Sequence, residues 1–430
     1  VNYCADLHIH SPYSRATSPQ SSLTGLAGWA RLKGIQVIAT GDFTHPVWFS
    51  HLQQELEPAE PGLFKLVDSA VISSPLCGIT NGNTPVRFLL SAEISCIYKR
   101  HGKTRKVHNL LYVPDMESAA RITKRLATIG NVVSDGRPIL GLDSHDLLEM
   151  VLELSPDGFL VPAHIWTPWF SLFGSKSGFD TVEECFGDLS QHIFALETGL
   201  SSDPAMNRRI SQLDSYALIS NSDCHSPSNL GREVNLFNTG LDYFSLRDAI
   251  RSNDCATFRG TVEFFPEEGK YHADGHRGCQ VCMDPLASRL CNHICPVCGK
   301  QLTIGVQQRV LELADRVSPL FPVNAPAVFS LIPLPELIGE LLSVGVTSKR
   351  VKGAYARLLT RFESEFGILL ETSLDEISSA SPLLAEAVRR VRNGDVIRQP
   401  GYDGEYGIIR VFHEGEQQQL GLDPGLLLGA

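Results

Sequence analysis

Histidines and carboxylates recur at the ends of short apolar runs in this 430-residue chain. Asp6-Leu7-His8-Ile9-His10 closes the first run, and the two-residue period of a strand aims His8 and His10 to one side. Asp42 and His45 follow the second run, Glu93 follows Phe88-Leu89-Leu90, and His108 opens His108-Asn109-Leu110-Leu111-Tyr112. His164 follows Leu160-Val161-Pro162, Glu197 follows Phe194-Ala195-Leu196, and Asp223-Cys224-His225 follows Leu218-Ile219-Ser220. One histidine after a strand is ordinarily a hydrogen-bonded surface residue. His-x-His, Asp-x-His and a Glu at equivalent positions together describe a metal centre. Mixed imidazole and carboxylate donors suit zinc, manganese or iron better than magnesium alone. More donors than one ion accepts imply two or three ions, an arrangement that lowers the pKa of bound water and clamps an in-line displacement at phosphorus.

Cys279-x-x-Cys282 and Cys295-Pro-Val-Cys298-Gly form a second cluster. Paired Cys-x-x-Cys turns present four thiolates tetrahedrally and predict one structural zinc, with His276, Cys291 and His293 as alternative ligands. A closed site of this kind would organise a segment too polar for a core of its own. The remaining cysteines (Cys4, Cys77, Cys96, Cys185, Cys224, Cys255) are scattered, as small buried hydrophobes are in a reducing compartment, and no disulfide framework is implied.

Two basic stretches stand out. Lys99-Arg100-His101-Gly102-Lys103-Thr104-Arg105-Lys106 joins two strands, and Arg350, Arg357 and Arg361 share a helix face. Beside a phosphoesterase centre they could neutralise a nucleic-acid backbone. Between His164 and Phe186, the aromatics Trp166, Trp169, Phe170, Phe173 and Phe179 lie on a loop rich in glycine and serine, with Lys176 among them. Such a loop could receive an extruded base by stacking. Lys103, Arg105, Trp169, Phe173 and Lys176 are therefore candidate substrate-binding residues, with Arg15, shortly after His8-x-His10, as another.

The elements that must position these groups alternate. Apolar runs at Tyr3–Leu7, Ile35–Thr40, Val86–Leu90, Val107–Val113, Phe159–Pro162, Ile193–Leu196 and Tyr216–Ser220 are separated by amphipathic segments such as Leu23–Lys33 and Ser118–Ile129. That rhythm predicts an α/β fold with a largely parallel sheet, whose active site lies beyond the strand C-termini. From Thr303 to Asn393 the pattern is helical, near Val306–Val317, Leu334–Leu342, Ser348–Phe366 and Leu374–Arg392, and Gly401–Phe412 reads as a hairpin.

Composition sets outer bounds. With 43% hydrophobic and 20% charged residues the chain can bury a large core and is neither disordered nor collagenous. No uncharged apolar stretch reaches the roughly 18 residues of a membrane span, and the opening residues do not read as a signal peptide, so a cytoplasmic protein with no membrane partner is expected. The net charge of −11 argues against a uniformly basic nucleic-acid binder and leaves room for a local basic patch.

The order His8-x-His10, Asp42, Glu93, His108, His164, Asp223-x-His225 resembles the PHP (polymerase and histidinol phosphatase) superfamily. The resemblance implies a distorted (β/α)7 barrel with a multinuclear metal site for phosphoester hydrolysis. It places one ion on His8, His10, Glu93 and Asp223, and a second on Glu93, His108 and His164. His225 with Asp42 or His45 would complete a third, although Asp42-Phe43 replaces the family's usual Asp-His. Asp223, Glu93 and His10 are the residues expected to matter most for catalysis.

Tyr271-His272-Ala273-Asp274-Gly275-His276-Arg277, the cysteine cluster, Pro296-Val297-Cys298-Gly299-Lys300 and Pro400-Gly401-Tyr402-Asp403-Gly404 narrow the resemblance to the endonuclease Q family, over nearly the whole chain. It implies a metal-dependent DNA repair endonuclease, using zinc, magnesium or manganese, that flips bases. Its partner would be double-stranded DNA in the nucleoid, cut on the 5′ side of deaminated bases (uracil, hypoxanthine, xanthine) and abasic sites. Residues 1–260 would be the PHP catalytic domain, 261–302 a zinc-binding domain, 303–396 a helical DNA-binding domain, and 397–430 a hairpin and tail. Some family members bind a sliding clamp through a C-terminal motif; Gln417 to Ala430 lack its paired aromatics, so clamp binding is not expected. Two other readings compete: a small-molecule phosphatase of the histidinol-phosphate kind, and a non-catalytic nucleic-acid-binding adaptor.

Overall fold

Strands form where β-branched and large apolar residues run without interruption, and here most are covered on both faces. Leu89, Leu110 and Val161 point into one buried cluster with Leu7, Ala195 and Ile219, while their neighbours Leu90, Leu111 and Leu160 point into another that packs on the helices. The computed structural model describes residues 1–68, 72, 74–76 and 85–428; Cys77 lies outside them. Its centre is a mixed sheet of eleven strands. From one edge the order runs Ala327–Ser330, Phe258–Glu263, Val234–Asn238, Asn2–Asp6, Val37–Ala39 and Arg87–Arg100. Lys103–Val113 and then Phe159–Pro162 continue from Arg87–Arg100. Ala195–Glu197 and Ala217–Ile219 form a separate parallel pair.

The sheet is less parallel than the sequence rhythm suggests. Asn2–Asp6 runs parallel to Val37–Ala39, which runs parallel to Arg87–Arg100. Val234–Asn238, Lys103–Val113 and Phe159–Pro162 each run antiparallel to their neighbours. The cause is local. His101 and Gly102 both adopt left-handed φ (52° and 72°), the two-residue turn that folds a strand directly back on itself. The basic stretch Lys99–Lys106 is therefore the tip of a long hairpin, and Glu93 and His108 lie within its strands instead of beyond their ends.

Helix boundaries follow capping chemistry. Ser22 caps Leu23–Lys33, and Gly34 (φ 83°) ends it. The expected helix Leu374–Arg392 is two helices, Leu374–Ala380 and Pro382–Asn393. Pro382 lacks the N–H needed to continue the first, and Ser381 Oγ accepts from Leu384 N to start the second. The terminal hairpin pairs Ile397–Gln399 with Ile408–Arg410. Among the scattered cysteines, Cys96, Cys185 and Cys224 are buried as expected, but Cys255 is exposed. No helix among the described residues is long and apolar enough to cross a membrane.

Two further acids are buried, Glu263 at the end of its strand and Glu233 near it. Glu263 accepts hydroxyl hydrogen bonds from Thr261 (2.5 Å), Thr198 (3.1 Å) and Ser220 (3.1 Å), and Glu233 accepts from Phe264 N (3.1 Å). Burial pushes Glu263 up to about 8, and burial together with the Glu263 charge raises Glu233. A raised folded-state pKa gives stability that is full below the unfolded value of about 4.3 and is lost as pH climbs through the folded value. Glu263→Gln, which keeps an acceptor oxygen without a charge, should thus flatten the fall in Tm between pH 6 and 9. Parallel Tm curves for the two proteins would show that Glu263 is not protonated in the fold.

Candidate active site

An isolated bridge between Ile9 and Cys224, with His10 N donating to Cys224 O (3.1 Å), brings His8-x-His10 and Asp223-x-His225 together. His8 Nε2 lies 3.5 Å from both Glu93 Oε2 and Asp223 Oδ1; His10 Nε2 lies 3.1 Å from each of the same two oxygens. His8 Nε2, His10 Nε2 and Asp223 Oδ1 are buried and make no hydrogen bond. Orphaned donor atoms at this spacing fit an ion, because ligands about 2.0–2.1 Å from a tetrahedral zinc are about 3.3 Å apart. A second set shares Glu93. Its Oε1 lies 2.7 Å from His108 Nδ1 and 3.2 Å from His164 Nε2, and the two imidazole nitrogens are 3.2 Å apart. Glu93 thus turns one oxygen to each group.

Backbone strain accompanies this convergence. His164 and Asp223 have left-handed φ (29° and 46°), as does Asp42 (51°), a conformation costing non-glycine residues about 1–3 kcal/mol. Gly199 makes room for the His164 turn, since a Cβ there would sit 2.5 Å from His164 Cβ.

The electrostatics are those of an anionic hole. Burial would lower His8, but Glu197, Asp223 and Glu93 hold it well above the usual range; His10 is raised against burial by Asp42, Asp223 and Glu93. Burial would raise Glu93, yet His108, Arg137 and His8 hold it well below the usual carboxylate range, and Asp223 is lowered against burial by His8 and His10. Burial takes His108 down to about 4 against the pull of Glu93.

Asp42 and His225 fall outside both donor sets. The Asp42 carboxylate is held by three hydrogen bonds: Oδ1 accepts from His10 Nδ1 (3.1 Å), and Oδ2 accepts from Ser11 N (2.7 Å) and Oγ (2.6 Å). In this geometry it is placed to orient His10. His225 lies tilted against His10 with ring centroids 4.5 Å apart, and its Nδ1 lies 3.0 Å from Asp223 O. His45 caps the helix Pro46–Glu55. Two other residues complete the constellation. Glu197 accepts from His8 Nδ1 (3.0 Å) and His164 N (2.7 Å), and its position after a strand was the available signal. Arg137 donates to Glu93 Oε2 (3.1 Å), and nothing in the local sequence marks it.

The cysteine cluster assembles differently from a four-thiolate site. His276, Cys279, Cys295 and Cys298 place their donor atoms within 4.8 Å of one another, without Cys282. Cys282 pairs with Gly275 across the hairpin Asp274–His276/Val281–Met283, whereas His276 pairs with Val281. Strand alternation therefore sends His276 and Cys282 to opposite faces. Cys282 is exposed, its Sγ 4.0 Å from Pro400 O.

The substrate candidates divide by exposure. Trp169 is 41% exposed and meets Tyr271 edge-on at 5.7 Å. Phe173 is fully buried against Trp166 (5.0 Å), so it cannot stack a base; apolar packing took a residue that the loop's composition offered to solvent. Arg105 is mostly buried over the Phe179 ring (4.2 Å) and donates to Gly178 O, which ties the loop down. Lys103 and Lys176 line a polar cleft of about 500 Å³ with His101, Arg105 and Arg309. Arg15 is exposed, its backbone N donating to Asp135 Oδ1 (3.2 Å).

Fold and site together define a mixed α/β protein whose large central sheet carries a buried cluster of histidines and carboxylates. A crystal structure of the lesion-specific endonuclease PfuEndoQ from Pyrococcus furiosus matches with a TM-score of 0.83 and 33% identity, over 95% of each chain. An endonuclease Q solved with a 27-mer duplex bearing an abasic lesion at its active site matches with a TM-score of 0.82 and 32% identity, over 97% of this chain and 98% of that one. The family model of the MJ0043 C-terminal domain matches residues 333–395. MJ0043 of Methanocaldococcus jannaschii is 30% identical over 285 residues, 63% of this chain and 35% of that protein, so the chain spans about a third of that relative's length. YqxK of Bacillus subtilis is 28% identical over 94% of this chain and 98% of its own. The chain belongs to the endonuclease Q family.

Proposed function

We propose that this chain is a metal-dependent DNA repair endonuclease that hydrolyses the phosphodiester on the 5′ side of deaminated bases (uracil, hypoxanthine, xanthine) and abasic sites. The observation that carries the reading is the pair of donor sets joined through Glu93, with buried nitrogens and an oxygen that have no other partner. Two or three divalent ions, zinc, magnesium or manganese, would lower the pKa of a water and neutralise charge on the phosphate. His8, His10, Glu93 and Asp223 would hold one; Glu93, His108 and His164 a second; His225 stands ready beside Asp223. Glu197 and Asp42 take the Nδ1–H of His8 and His10, which leaves each Nε2 lone pair aimed into the cluster.

In this reading residues 1–260 form the catalytic domain as a distorted (β/α)7 PHP barrel. Residues 261–302 are a zinc-binding domain held by His276, Cys279, Cys295 and Cys298, 303–396 a helical DNA-binding domain, and 397–430 a hairpin and tail. Lys103, Lys176 and Arg15 would meet backbone phosphates, and the exposed face of Trp169 would stack a flipped base. The protein would act on nucleoid DNA in the cytoplasm.

The test is incubation of the purified chain, with each metal, on end-labelled duplexes carrying one deoxyuridine, deoxyinosine, deoxyxanthosine, abasic site or normal base. The expected result is a single cut 5′ of the lesion and none in the normal duplex. Hydrolysis of a phosphomonoester without DNA cleavage would replace the proposal with a small-molecule phosphatase.

A further inference from the structure

We propose that Arg137 is a catalytic residue of this centre, its guanidinium gripping a non-bridging oxygen of the phosphate being cut; the inference rests on the endonuclease reading above. The segment that carries Arg137 is tied over the ligands at several points. Val133 O lies 2.9 Å from His45 Nε2, Gly136 N donates to Tyr13 O (2.9 Å), and Ser95 N donates to Pro138 O (3.0 Å). Asp135 Oδ1 accepts from both Arg15 N (3.2 Å) and Arg137 N (3.1 Å). Gly136 lies directly on the carboxylate that orients His10: a Cβ there would sit 2.4 Å from Asp42 Oδ2 and 2.7 Å from Ser14 Oγ. Only glycine lets the chain pass so close, and the next residue is Arg137.

Its Nη1 then reaches Glu93 Oε2, the oxygen shared by His8 and His10, while about a quarter of the side chain stays open to solvent. Among the described residues, no other chain group is hydrogen-bonded to its guanidinium. A balancing ion pair would need none of this exposure. With dications in both donor sets, both Glu93 oxygens would be engaged and Arg137 would face net positive charge. An incoming phosphate restores the balance, and a planar guanidinium can offer it two parallel N–H groups where a lysine offers a point charge.

The experiment compares wild type with Arg137→Ala and Arg137→Lys in four measurements: single-turnover cleavage of the lesion duplex, duplex affinity, bound metal by elemental analysis, and Tm. We expect cleavage about 10²–10³-fold slower for Arg137→Ala, with partial recovery in Arg137→Lys and with metal content, affinity and Tm near wild type. A phosphorothioate at one non-bridging position of the scissile bond should slow wild type more than it slows Arg137→Ala. An undiminished rate in Arg137→Ala, or a loss matched by lost metal, would overturn the assignment while leaving the nuclease intact. A wild-type chain silent on every lesion duplex would overturn the nuclease reading and this inference with it.

Discussion

Asp223→Asn should lower the single-turnover cleavage rate about 10³-fold or more and leave lesion-duplex affinity within a few-fold of wild type. Asp223 Oδ1 faces both His10 Nε2 (3.1 Å) and His8 Nε2 (3.5 Å), and those imidazoles hold its carboxyl well below the usual range. An amide in its place is neutral and a poor ligand for a hard cation, so the first donor set loses a charge and a coordinating atom together. The effect should be at least that of removing a preorganised electrostatic contact, about 10²–10³-fold, enlarged by loss of the ion itself. Affinity should survive, since in the proposed reading it would come from phosphate contacts spread over other surfaces. The fold should survive as well: Asp223 sits at a left-handed φ of 46°, and Asn tolerates that conformation as well as any residue with a side chain. Rapid-quench cleavage and fluorescence anisotropy on one duplex check both halves. Retained activity would remove Asp223 from the metal centre.

In the proposed zinc site, Cys295→Ser should abolish zinc binding and unfold the segment around it, while Cys282→Ser should do neither. Cys295 is buried, its N–H donates to Lys300 O (2.7 Å), and its carbonyl accepts from Gly299 N (2.9 Å), the tight turn that presents Cys295 and Cys298 to His276 and Cys279. Apparent zinc affinities of roughly 10–16 kcal/mol in small closed sites exceed what such a segment can gain from its few buried side chains. The damage should spread. Ala273 N donates to Gly401 O (3.0 Å) and Arg277 N to Asp403 Oδ2 (2.7 Å), so the segment is laced to the C-terminal turn. Val306 N donates to Tyr271 O (2.7 Å), and the helix Val306–Leu313 carries Arg309, which donates to Phe173 O (3.0 Å) and Phe179 O (3.1 Å) beside the basic cleft. Hydrogen exchange should therefore quicken over the zinc segment and across the aromatic loop. Elemental analysis reads the loss of one zinc per chain. Equal zinc loss in Cys282→Ser would restore the four-cysteine arrangement.

The order of the candidate donors was legible because it is written in residue type. His8-x-His10, Glu93, His108, His164 and Asp223 are polar residues attached to strands that must be apolar to be buried, and burial of polar donors demands partners. The cysteine pairs were legible for the same reason. Long apolar runs also announced the strands, since a sheet covered on both faces leaves no alternation to misread.

What tertiary structure decided was direction and company. Pairing register sent Cys282 away from His276, and a two-residue turn made consecutive strands antiparallel where the rhythm of runs suggested parallel ones. Packing buried Phe173 and left Trp169 open, although both sit on one loop of similar composition. Asp42 was recognisable as a site residue, but only the hydroxyl and amide of Ser11 closing on its second oxygen made it a support for His10. Arg137 carried no local signal at all. Its contact with Glu93 joins residues 44 positions apart, and such contacts depend on the path of the whole chain. Residue chemistry by itself thus determined which groups this protein gathers; the fold determined which of them face the centre.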